Sequence, residues 1–290
     1  MNFKSLNDSY TLSNGVKIPC IGFGTWQSAV GKEAYDAVLA ALECGYRHID
    51  TAAAYGNEES VGKAINDFLK NSSVKREELF ITTKLWNDDH GYETAKAALE
   101  TSLKKLNLSY VDLYLIHWPN PLKFRDCWQE KNAESWRAME ESYKDGKTRS
   151  IGISNFCERH IVELEKTATI EPMVNQIKVC PGISQKELRK YSEEKGMLIE
   201  GYSPFGTGGI FKSEEMQSLS KKYGKTIAQI CVRWSLQQGV LPLPKSVSKE
   251  RIAENTKVFD FELESSDCSL IENLTGLEIK PNRNPDEAPF

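Results

Sequence analysis

Apolar and polar residues alternate along this chain of 290 residues with two periods, one typical of strands and one typical of helices. The chain opens with a hairpin-like pattern, in which Tyr-Thr-Leu and Val-Lys-Ile flank the turn Ser13-Asn14-Gly15. Short apolar runs and longer helical windows then follow each other to the end. The runs that we predict to be strands are residues 21–24, 47–50, 79–84, 111–117, 150–154, 173–176, 198–202 and 240–244.

The windows between these runs carry apolar residues three or four positions apart, as an amphipathic helix does. Many of them stop at a glycine, namely Gly45, Gly146, Gly196 or Gly239, and glycine commonly ends helices. The clearest helical windows are residues 33–43, 94–106, 133–144, 185–194 and 226–237.

Eight strand–helix units predict a closed (β/α)₈ barrel, a fold of typically about 250 residues. A doubly wound open sheet is the alternative, but Gly22-Phe-Gly24 and Gly206-Thr-Gly208-Gly209 both miss the last glycine of its dinucleotide fingerprint. We therefore expect one α/β barrel domain over residues 1–290, with residues 1–20 as a hairpin cap and 276–290 as an irregular tail. Two long connections, residues 118–131 and 203–213, are expected above the C-terminal face.

Composition narrows the class of protein. Hydrophobic residues make up 40% and charged residues 27% of the chain, and the net charge of −4 gives no general attraction to nucleic acid or anionic membrane. The chain has no uninterrupted apolar stretch of membrane-spanning length and no apolar secretion signal. We expect a cytoplasmic protein whose seven cysteines, without metal-ligand spacing, are reduced thiols.

Four ionisable residues, Asp50, Tyr55, Lys84 and His117, lie at or just after the ends of predicted strands. Charged groups at the end of a buried run cost free energy unless they are paired. In a barrel these strand ends meet on one face, where active sites are built. The other polar residues expected on that face are Ser154, Asn155, Gln176, Tyr202 and Lys245.

Tyr55 and Lys84 suggest acid chemistry. A lysine ammonium about 4 Å from a phenol is worth roughly 4 kcal/mol at an effective dielectric of 20, before desolvation opposes it. This predicts a lowered pKa for Tyr55, so that it donates a proton near neutrality. Asp50 would keep Lys84 charged, and a neutral His117 would hold a substrate oxygen. A single tyrosine or histidine is usually a packing residue, whereas four on converging strand ends favour a site.

The chain resembles the aldo-keto reductases, in their compact microbial form, over nearly its whole length. The resemblance is carried by long motifs at every strand end. These are Gly22-Phe-Gly24-Thr-Trp26, Arg47-His-Ile-Asp-Thr-Ala-Ala-Ala-Tyr55-Gly-Asn-Glu58, Lys84-Leu-Trp86, His117-Trp-Pro119, Gly152-Ile-Ser-Asn155-Phe156, Asn175-Gln176, Tyr202-Ser-Pro204, Pro244-Lys-Ser-Val247 and Arg251-Ile-Ala-Glu-Asn255.

The resemblance implies a catalytic tetrad of Asp50, Tyr55, Lys84 and His117 that reduces an aldehyde or ketone without a metal, using NADPH as hydride donor and Tyr55 as general acid. Ser154, Asn155 and Gln176 would bind the carboxamide of the cofactor, and Tyr202 would stack on its ring. The remaining cofactor-binding residues implied are Thr25, Trp26, Asp50, Ser203, Phe205, Gly206, Lys245, Ser246, Val247, Ser248, Arg251, Glu254 and Asn255. The substrate pocket implied is lined by Trp26, Tyr55, Trp86, His117 and Trp118.

Charge favours NADPH over NADH. Lys245, Ser246, Ser248 and Arg251 cluster after the last strand, where the family holds the 2′-phosphate, and a dianion needs cations and hydroxyl donors. An ordinary solvated helix start is the alternative, but it leaves positive charge at a helix N-terminus unexplained.

Two other functions stay open. Lys84 could form a Schiff base in a lyase, although Asp50 would keep its amine protonated. The chain could also bind a nucleotide without catalysis, against which the complete tetrad argues. We expect a monomer that acts on a small carbonyl compound of unspecified identity. Lys178, Cys180 and an additional proline, Pro242, depart from the family pattern and leave the neighbouring loops undetermined.

Overall fold

The computed structural model describes residues 3–290, and its centre is a barrel of eight parallel strands in chain order. Backbone hydrogen bonds from Gly22 N–H to Pro242 O (3.1 Å) and from Gly24 N–H to Pro244 O (3.0 Å) join the first and last strands. The predicted (β/α)₈ barrel is therefore confirmed. Its strands are β3 (Phe23–Gly24), β4 (His48–Asp50), β5 (Phe80–Leu85), β6 (Leu113–Ile116), β7 (Ile151–Ser154), β8 (Val174–Lys178), β9 (Leu198–Tyr202) and β10 (Leu241–Leu243).

Helices surround the barrel because each has an apolar face that packs on the strands, and the buried residues of helices and strands form its core. Four helices end where the sequence predicts, and Gly45, Gly146, Gly196 and Gly239, each one residue beyond the C-cap, take positive φ angles of 74–100°. The helices are α1 (Lys32–Glu43), α2 (Glu58–Asn71), α3 (Tyr92–Leu106), α4 (Trp128–Lys144), α5 (Glu158–Glu165), α6 (Lys186–Glu194), α7 (Glu214–Tyr223), α8 (Ile227–Gln237), α9 (Lys249–Glu254) and α10 (Ser265–Glu272).

The predicted hairpin is confirmed as two antiparallel strands, β1 (Ser9–Thr11) and β2 (Lys17–Pro19), in which Tyr10 pairs with Ile18. The Asn14 amide donates to the carbonyl of Arg149, just before β7 (3.0 Å). The hairpin therefore lies at the N-terminal ends of the barrel strands, away from the face that is expected to carry the site.

The start of α4 differs from its prediction. This helix begins at Trp128 and not at residue 133, so the expected loop 118–131 contains a 3₁₀ helix, Leu122–Cys127, and then the first turn of α4. Trp128 is buried, and its ring lies 5.1 Å from that of His160. Burial of this aromatic ring fixes the first helical turn. The sequence pattern does not show this turn, because the residues around Trp128 are mostly charged or polar.

The tail, residues 276–290, has one 3₁₀ turn at Pro285–Glu287 and otherwise irregular backbone. It runs over the C-terminal face of the barrel. Its anchor is Asp286, which accepts hydrogen bonds from Asn120 (2.9 Å), His160 (2.9 Å) and Arg159. Within residues 3–290, helices of the length and hydropathy needed to cross a membrane are absent.

Candidate active site

Asp50, Lys84 and Tyr55 meet at the C-terminal end of the barrel. Asp50 ends β4, Tyr55 ends the 3₁₀ turn that follows it, and Lys84 lies near the end of β5. Lys84 Nζ donates to Asp50 Oδ1 (2.8 Å), to the carbonyl of Thr51 (2.8 Å) and to the Tyr55 hydroxyl oxygen (3.2 Å). All three ammonium donors are therefore used inside the protein. Because the Tyr55 oxygen accepts from Lys84, its own O–H is left to donate elsewhere.

The pKa of Tyr55 differs from its prediction. Burial raises this pKa above its usual value, and the opposing effect of the Lys84 ammonium is smaller. The predicted net lowering is therefore wrong for the ligand-free protein, because desolvation of the phenolate outweighs the ion pair. Burial also lowers the pKa of Lys84, but Asp50 and Tyr55 more than compensate and the net change is upward. At neutral pH the site holds a protonated phenol beside an ammonium.

His117 follows β6 directly and lies beside Tyr55. Its ring is 5.8 Å from the Tyr55 ring and 5.3 Å from the Trp86 ring, both edge to face. Burial, followed by the charges of Lys84 and His90, holds the pKa of His117 well below its usual range. A neutral imidazole has one N–H to donate, as the sequence argument expects.

The residues expected to bind the carboxamide form one hydrogen-bonded group. Ser154 Oγ donates to the carbonyl of Gln176 (2.8 Å), and Asn155 Nδ2 donates to Ser154 Oγ (3.1 Å) and to the carbonyl of His117 (2.9 Å). The Tyr202 hydroxyl donates to Asn155 Oδ1 (2.7 Å). These bonds join β7, β8 and β9 to the residue that follows β6.

Gln176 also reaches into the tetrad. Its Nε2 donates both to Asp50 Oδ2 (2.8 Å) and to Glu200 Oε2 (2.9 Å), which leaves its Oε1 as the free acceptor. Glu200 was not predicted as a site residue. The signal in the sequence is an acidic residue in the middle of the buried strand Leu198-Ile-Glu-Gly-Tyr202.

Aromatic rings line the space beside the tetrad. Trp86 and Trp118 both contact Phe290, with ring centroids 5.6 Å and 5.2 Å apart. The Phe290 carbonyl accepts from Asn87 Nδ2 (3.2 Å), so the last residue of the tail closes this wall. Nothing in the local sequence pattern places Phe290 there. Trp26 is 44% exposed, and among residues 3–290 it has no aromatic neighbour in this group.

The loop 203–213 lies directly under the tail. A Cβ on Gly206 would come within 2.5 Å of Ile279, and one on Gly209 would meet the backbone of Glu278. Gly206 also has a positive φ of 53°. Ser203, Phe205 and Gly206, which the resemblance assigns to the cofactor, therefore lie in a segment that the tail covers.

The basic cluster expected at the 2′-phosphate lies after β10. Lys245 Nζ donates to the carbonyl of Gln27 (3.2 Å), and Ser248 caps α9 by accepting from the Arg251 N–H (3.4 Å). Arg251 is exposed, and no acidic side chain within residues 3–290 forms a salt bridge with it. Val247 is exposed as well, and Asn255 is buried nearby.

Thr25 and Glu254, two further expected cofactor residues, lie at the rim. The Thr25 hydroxyl and backbone N–H both donate to the carbonyl of Asp50 (3.0 Å each), which ties β3 to the tetrad. The Glu254 carbonyl accepts from Gln229 (3.3 Å). Lys178, one of the departures from the family pattern, is buried and donates to the carbonyl of Lys280 in the tail.

Fold and site together define a (β/α)₈ enzyme whose polar groups converge on the C-terminal face of the barrel. The family described as "Aldo/keto reductase family" matches residues 20–275, and the chain belongs to this family.

Close relatives cover the chain almost completely. The glyoxal reductase of Bacillus subtilis (strain 168) is 48% identical over 286 residues, 99% of both proteins. The methylglyoxal reductase DkgA of Escherichia coli (strain K12) is 44% identical over 279 residues, 95% of this chain and 96% of that protein. The structure of a Bombyx mori aldo-keto reductase, AKR2E4, in complex with NADP matches 93% of this chain and 92% of its own with a TM-score of 0.84 at 38% identity.

Proposed function

We propose that this protein reduces the carbonyl group of a small aldehyde or ketone with NADPH, and that Tyr55 is its general acid. The observation that carries the proposal is the 3.2 Å contact between the Tyr55 hydroxyl and the buried ammonium of Lys84. A hydroxyl whose oxygen already accepts a hydrogen bond from a cation becomes a better proton donor. The same contact stabilises the phenolate that remains after the proton has left.

The residues on the C-terminal face fit a nicotinamide cofactor. Gln176 has used both amide donors and keeps an acceptor, which suits the N–H groups of a carboxamide. Tyr202 is only partly buried and presents a ring for stacking, and Lys245 and Arg251 supply positive charge for a phosphate. When bound, NADPH supplies the hydride for the carbonyl carbon.

Two side chains, Tyr55 and His117, then act on the carbonyl oxygen, and Lys84 and Asp50 support Tyr55. Tyr55 gives its proton to that oxygen, and Lys84 compensates the negative charge left on the phenolate. Asp50 keeps Lys84 charged, and the neutral His117 donates one hydrogen bond that orients the substrate. In the reverse direction Tyr55 takes the proton back as general base.

Small 1,2-dicarbonyl compounds are the substrate class that we favour. The relatives named glyoxal reductase and methylglyoxal reductase match 99% and 95% of this chain. The aromatic wall formed by Trp86, Trp118 and Phe290 lies beside the tetrad and would contact a small carbonyl compound there. Aromatic aldehydes, keto sugars and larger ketones belong in the same screen.

The wider setting of the enzyme is part of the proposal. We expect the barrel to act as a single domain and as a monomer in the cytoplasm, with small molecules and not nucleic acid or membrane as its partners. Sedimentation of the purified protein at several concentrations tests the monomer, since a dimer would sediment faster as the concentration rises.

Replacing Tyr55 by phenylalanine tests the mechanism. Tyr55→Phe removes only the proton donor, so kcat for aldehyde reduction is expected to fall by at least about a hundredfold. NADPH affinity is expected to stay within roughly twofold, because the phenol contributes to catalysis more than to binding. The measurements are NADPH consumption at 340 nm with a panel of aldehydes and quenching of tryptophan fluorescence by NADPH.

Tyr114→Phe is the matched control. Tyr114 is fully buried, and its hydroxyl has no hydrogen-bond partner among residues 3–290, so this variant loses a phenolic hydroxyl away from Lys84. It is expected to keep its activity. Retained turnover in Tyr55→Phe would reject Tyr55 as the acid, and a wild-type protein that binds NADPH but reduces no carbonyl would reject the function.

A further inference from the structure

Glu200 is a fully buried carboxyl group in the barrel interior that the proposed chemistry does not use. It lies on β9 directly beside Gln176 of β8, with which it is in register. One of its oxygens, Oε2, accepts from Gln176 Nε2 at 2.9 Å. The other, Oε1, is buried and has no hydrogen-bond partner among residues 3–290.

The charged and titratable groups that face Glu200 come from two other strands. Asp50 and His48 lie on β4, and Lys84 lies on β5. His48 Nε2 is 3.7 Å from Glu200 Oε1 and bonds instead to the hydroxyl of Thr82 (3.0 Å). Strand β10, which pairs with β9 on the other side, consists of Leu, Pro and Leu and contributes no charge.

One amide group therefore bridges two carboxyl groups. Gln176 gives one N–H to Asp50, the partner of Lys84, and the other to Glu200. If Glu200 did not accept, the second N–H would be buried without a partner, and the side chain of Gln176 would gain rotational freedom. The second hydrogen bond therefore fixes the direction in which the free Oε1 of Gln176 points. It also keeps the first N–H of Gln176 in place to donate to Asp50.

We propose that Glu200 is a positioning residue whose hydrogen bond fixes the Gln176 amide and, through it, both the cofactor carboxamide and Asp50. The proposal deepens the proposed function and rests on it. Glu200 touches neither the reacting atoms nor Tyr55.

The charge state follows from the surroundings. Burial raises the pKa of Glu200 to about 8, and the negative charge of Asp50 is the second-largest cause of this increase. His48 does not neutralise Glu200, because burial lowers the pKa of His48 to about 3. Around Gln176, Asp50 is therefore paired with the Lys84 ammonium, while Glu200 and His48 are uncharged at neutral pH.

Ionisation of Glu200 above neutral pH would disturb this balance. A second negative charge near Lys84 would hold the ammonium more strongly and oppose its pull on the phenol of Tyr55. Tyr55 would become a weaker acid, and carbonyl reduction would slow as the pH rises. Ionisation of Glu200 is therefore expected to lower the rate of carbonyl reduction at alkaline pH.

Two substitutions separate the hydrogen bond from the charge. Glu200→Gln keeps an acceptor for Gln176 and cannot ionise, whereas Glu200→Leu removes the acceptor at similar volume. Glu58→Gln is the matched control, because Glu58 is equally buried but bonds to Thr83 (2.7 Å), whose side chain points away from Lys84 by strand alternation. For each protein kcat/KM is measured from pH 6 to 10, and NADPH affinity is measured by fluorescence titration without substrate.

At pH 7 Glu200→Gln is expected to match wild type within about twofold in both kcat/KM and NADPH affinity, since it mimics the uncharged side chain. Its alkaline loss of kcat/KM is expected to begin at higher pH than in wild type. Glu200→Leu is expected to bind NADPH about tenfold more weakly, because an amide donor is left unpaired. Glu58→Gln should follow the wild-type pH profile.

Other results would overturn the inference. A large loss in Glu200→Gln at pH 7 would mean that the carboxylate charge is needed, and an unchanged pH profile would mean that Glu200 does not titrate against the tetrad. NADPH affinity equal to wild type in Glu200→Leu would remove the positioning role. If the wild-type protein reduces no carbonyl compound, the proposed function fails. The NADPH titrations of the Glu200 variants still test whether the hydrogen bond to Gln176 matters for cofactor binding.

Discussion

For Tyr55, the sequence predicts the neighbouring residue but not the direction of the pKa change. Its position after a strand that ends in Asp50 predicts a neighbouring lysine, and Lys84 is within hydrogen-bonding distance. The sign of the net pKa change is not predictable in this way, because it depends on how much water the folded protein excludes. Desolvation by the whole barrel mouth outweighs one ion pair, so Tyr55 keeps its proton.

Glu200 makes a prediction about stability. Its pKa is about 8 in the folded protein and near the ordinary glutamate value of 4.5 when unfolded. Between these pH values the unfolded chain has released a proton that the folded chain retains, so the free energy of unfolding falls as pH rises, by about 1.4 kcal/mol per pH unit at most. This contribution is fully present below pH 4.5 and is lost by about pH 8.

Glu200→Gln has no such titration. Its melting temperature relative to wild type is expected to rise steadily between pH 5 and 8 and then to level off, because only the wild type loses this contribution. Differential scanning calorimetry of both ligand-free proteins measures the difference, and Glu58→Gln serves as the control for buried carboxyl loss. A difference that is constant over this pH range would show that Glu200 ionises normally.

Whole elements were more predictable than single contacts. Eight apolar runs predict the eight strands because parallel barrel strands are buried on both faces, and glycines predict helix ends because their positive φ suits the residue after a helix. The start of α4 was missed, since its first turn is held by the packing of Trp128 on His160 and not by a local pattern. The polar strand ends place the tetrad together, whereas Glu200 in mid-strand required the register of β8 and β9.

We expect the segment after β10 and helix α9 to determine the preference for NADPH over NADH. Arg251 is exposed and has no acidic partner within residues 3–290, which suits a site for a phosphate. Arg251→Ala is expected to weaken NADPH binding by roughly tenfold or more, the value of a charge-assisted hydrogen bond, and to leave NADH binding nearly unchanged. Fluorescence titration with both reduced cofactors measures this split.

Lys249→Ala is the control on the same helix. Lys249 is also exposed, but its ammonium pairs with Glu43 of α1 (3.2 Å), so it faces away from the expected phosphate. It should lose little affinity for either cofactor. Equal weakening of NADPH and NADH binding in Arg251→Ala would mean that Arg251 stabilises helix α9 and does not bind the 2′-phosphate.

At the scale of the whole molecule, the tail joins parts of the chain that lie far apart in sequence. Asp286 binds Asn120, Arg159 and His160, and four residues later Phe290 completes the wall with Trp86 and Trp118. The sequence predicts only that residues 276–290 are irregular, because these contacts span well over a hundred positions. The position of Phe290 beside Trp86 and Trp118 is therefore visible only in the folded protein.

Releasing this anchor tests the role of the tail. Hydrogen bonds from Arg159 and its neighbours hold the pKa of Asp286 at about 2 against the opposing effect of burial, so the anchor is charged throughout the working pH range.

Asp286→Ala removes a charged acceptor, which costs about 1.5–3 kcal/mol per hydrogen bond to a charged group. Phe290 is expected to separate from Trp86 and Trp118, so KM for a small aldehyde should rise by roughly three- to tenfold while kcat changes less. Glu287→Ala, an exposed acidic neighbour, should leave KM unchanged. Steady-state kinetics, with limited proteolysis to monitor tail release, distinguish the two variants. A released tail with an unaltered KM would mean that Phe290 does not contact the substrate.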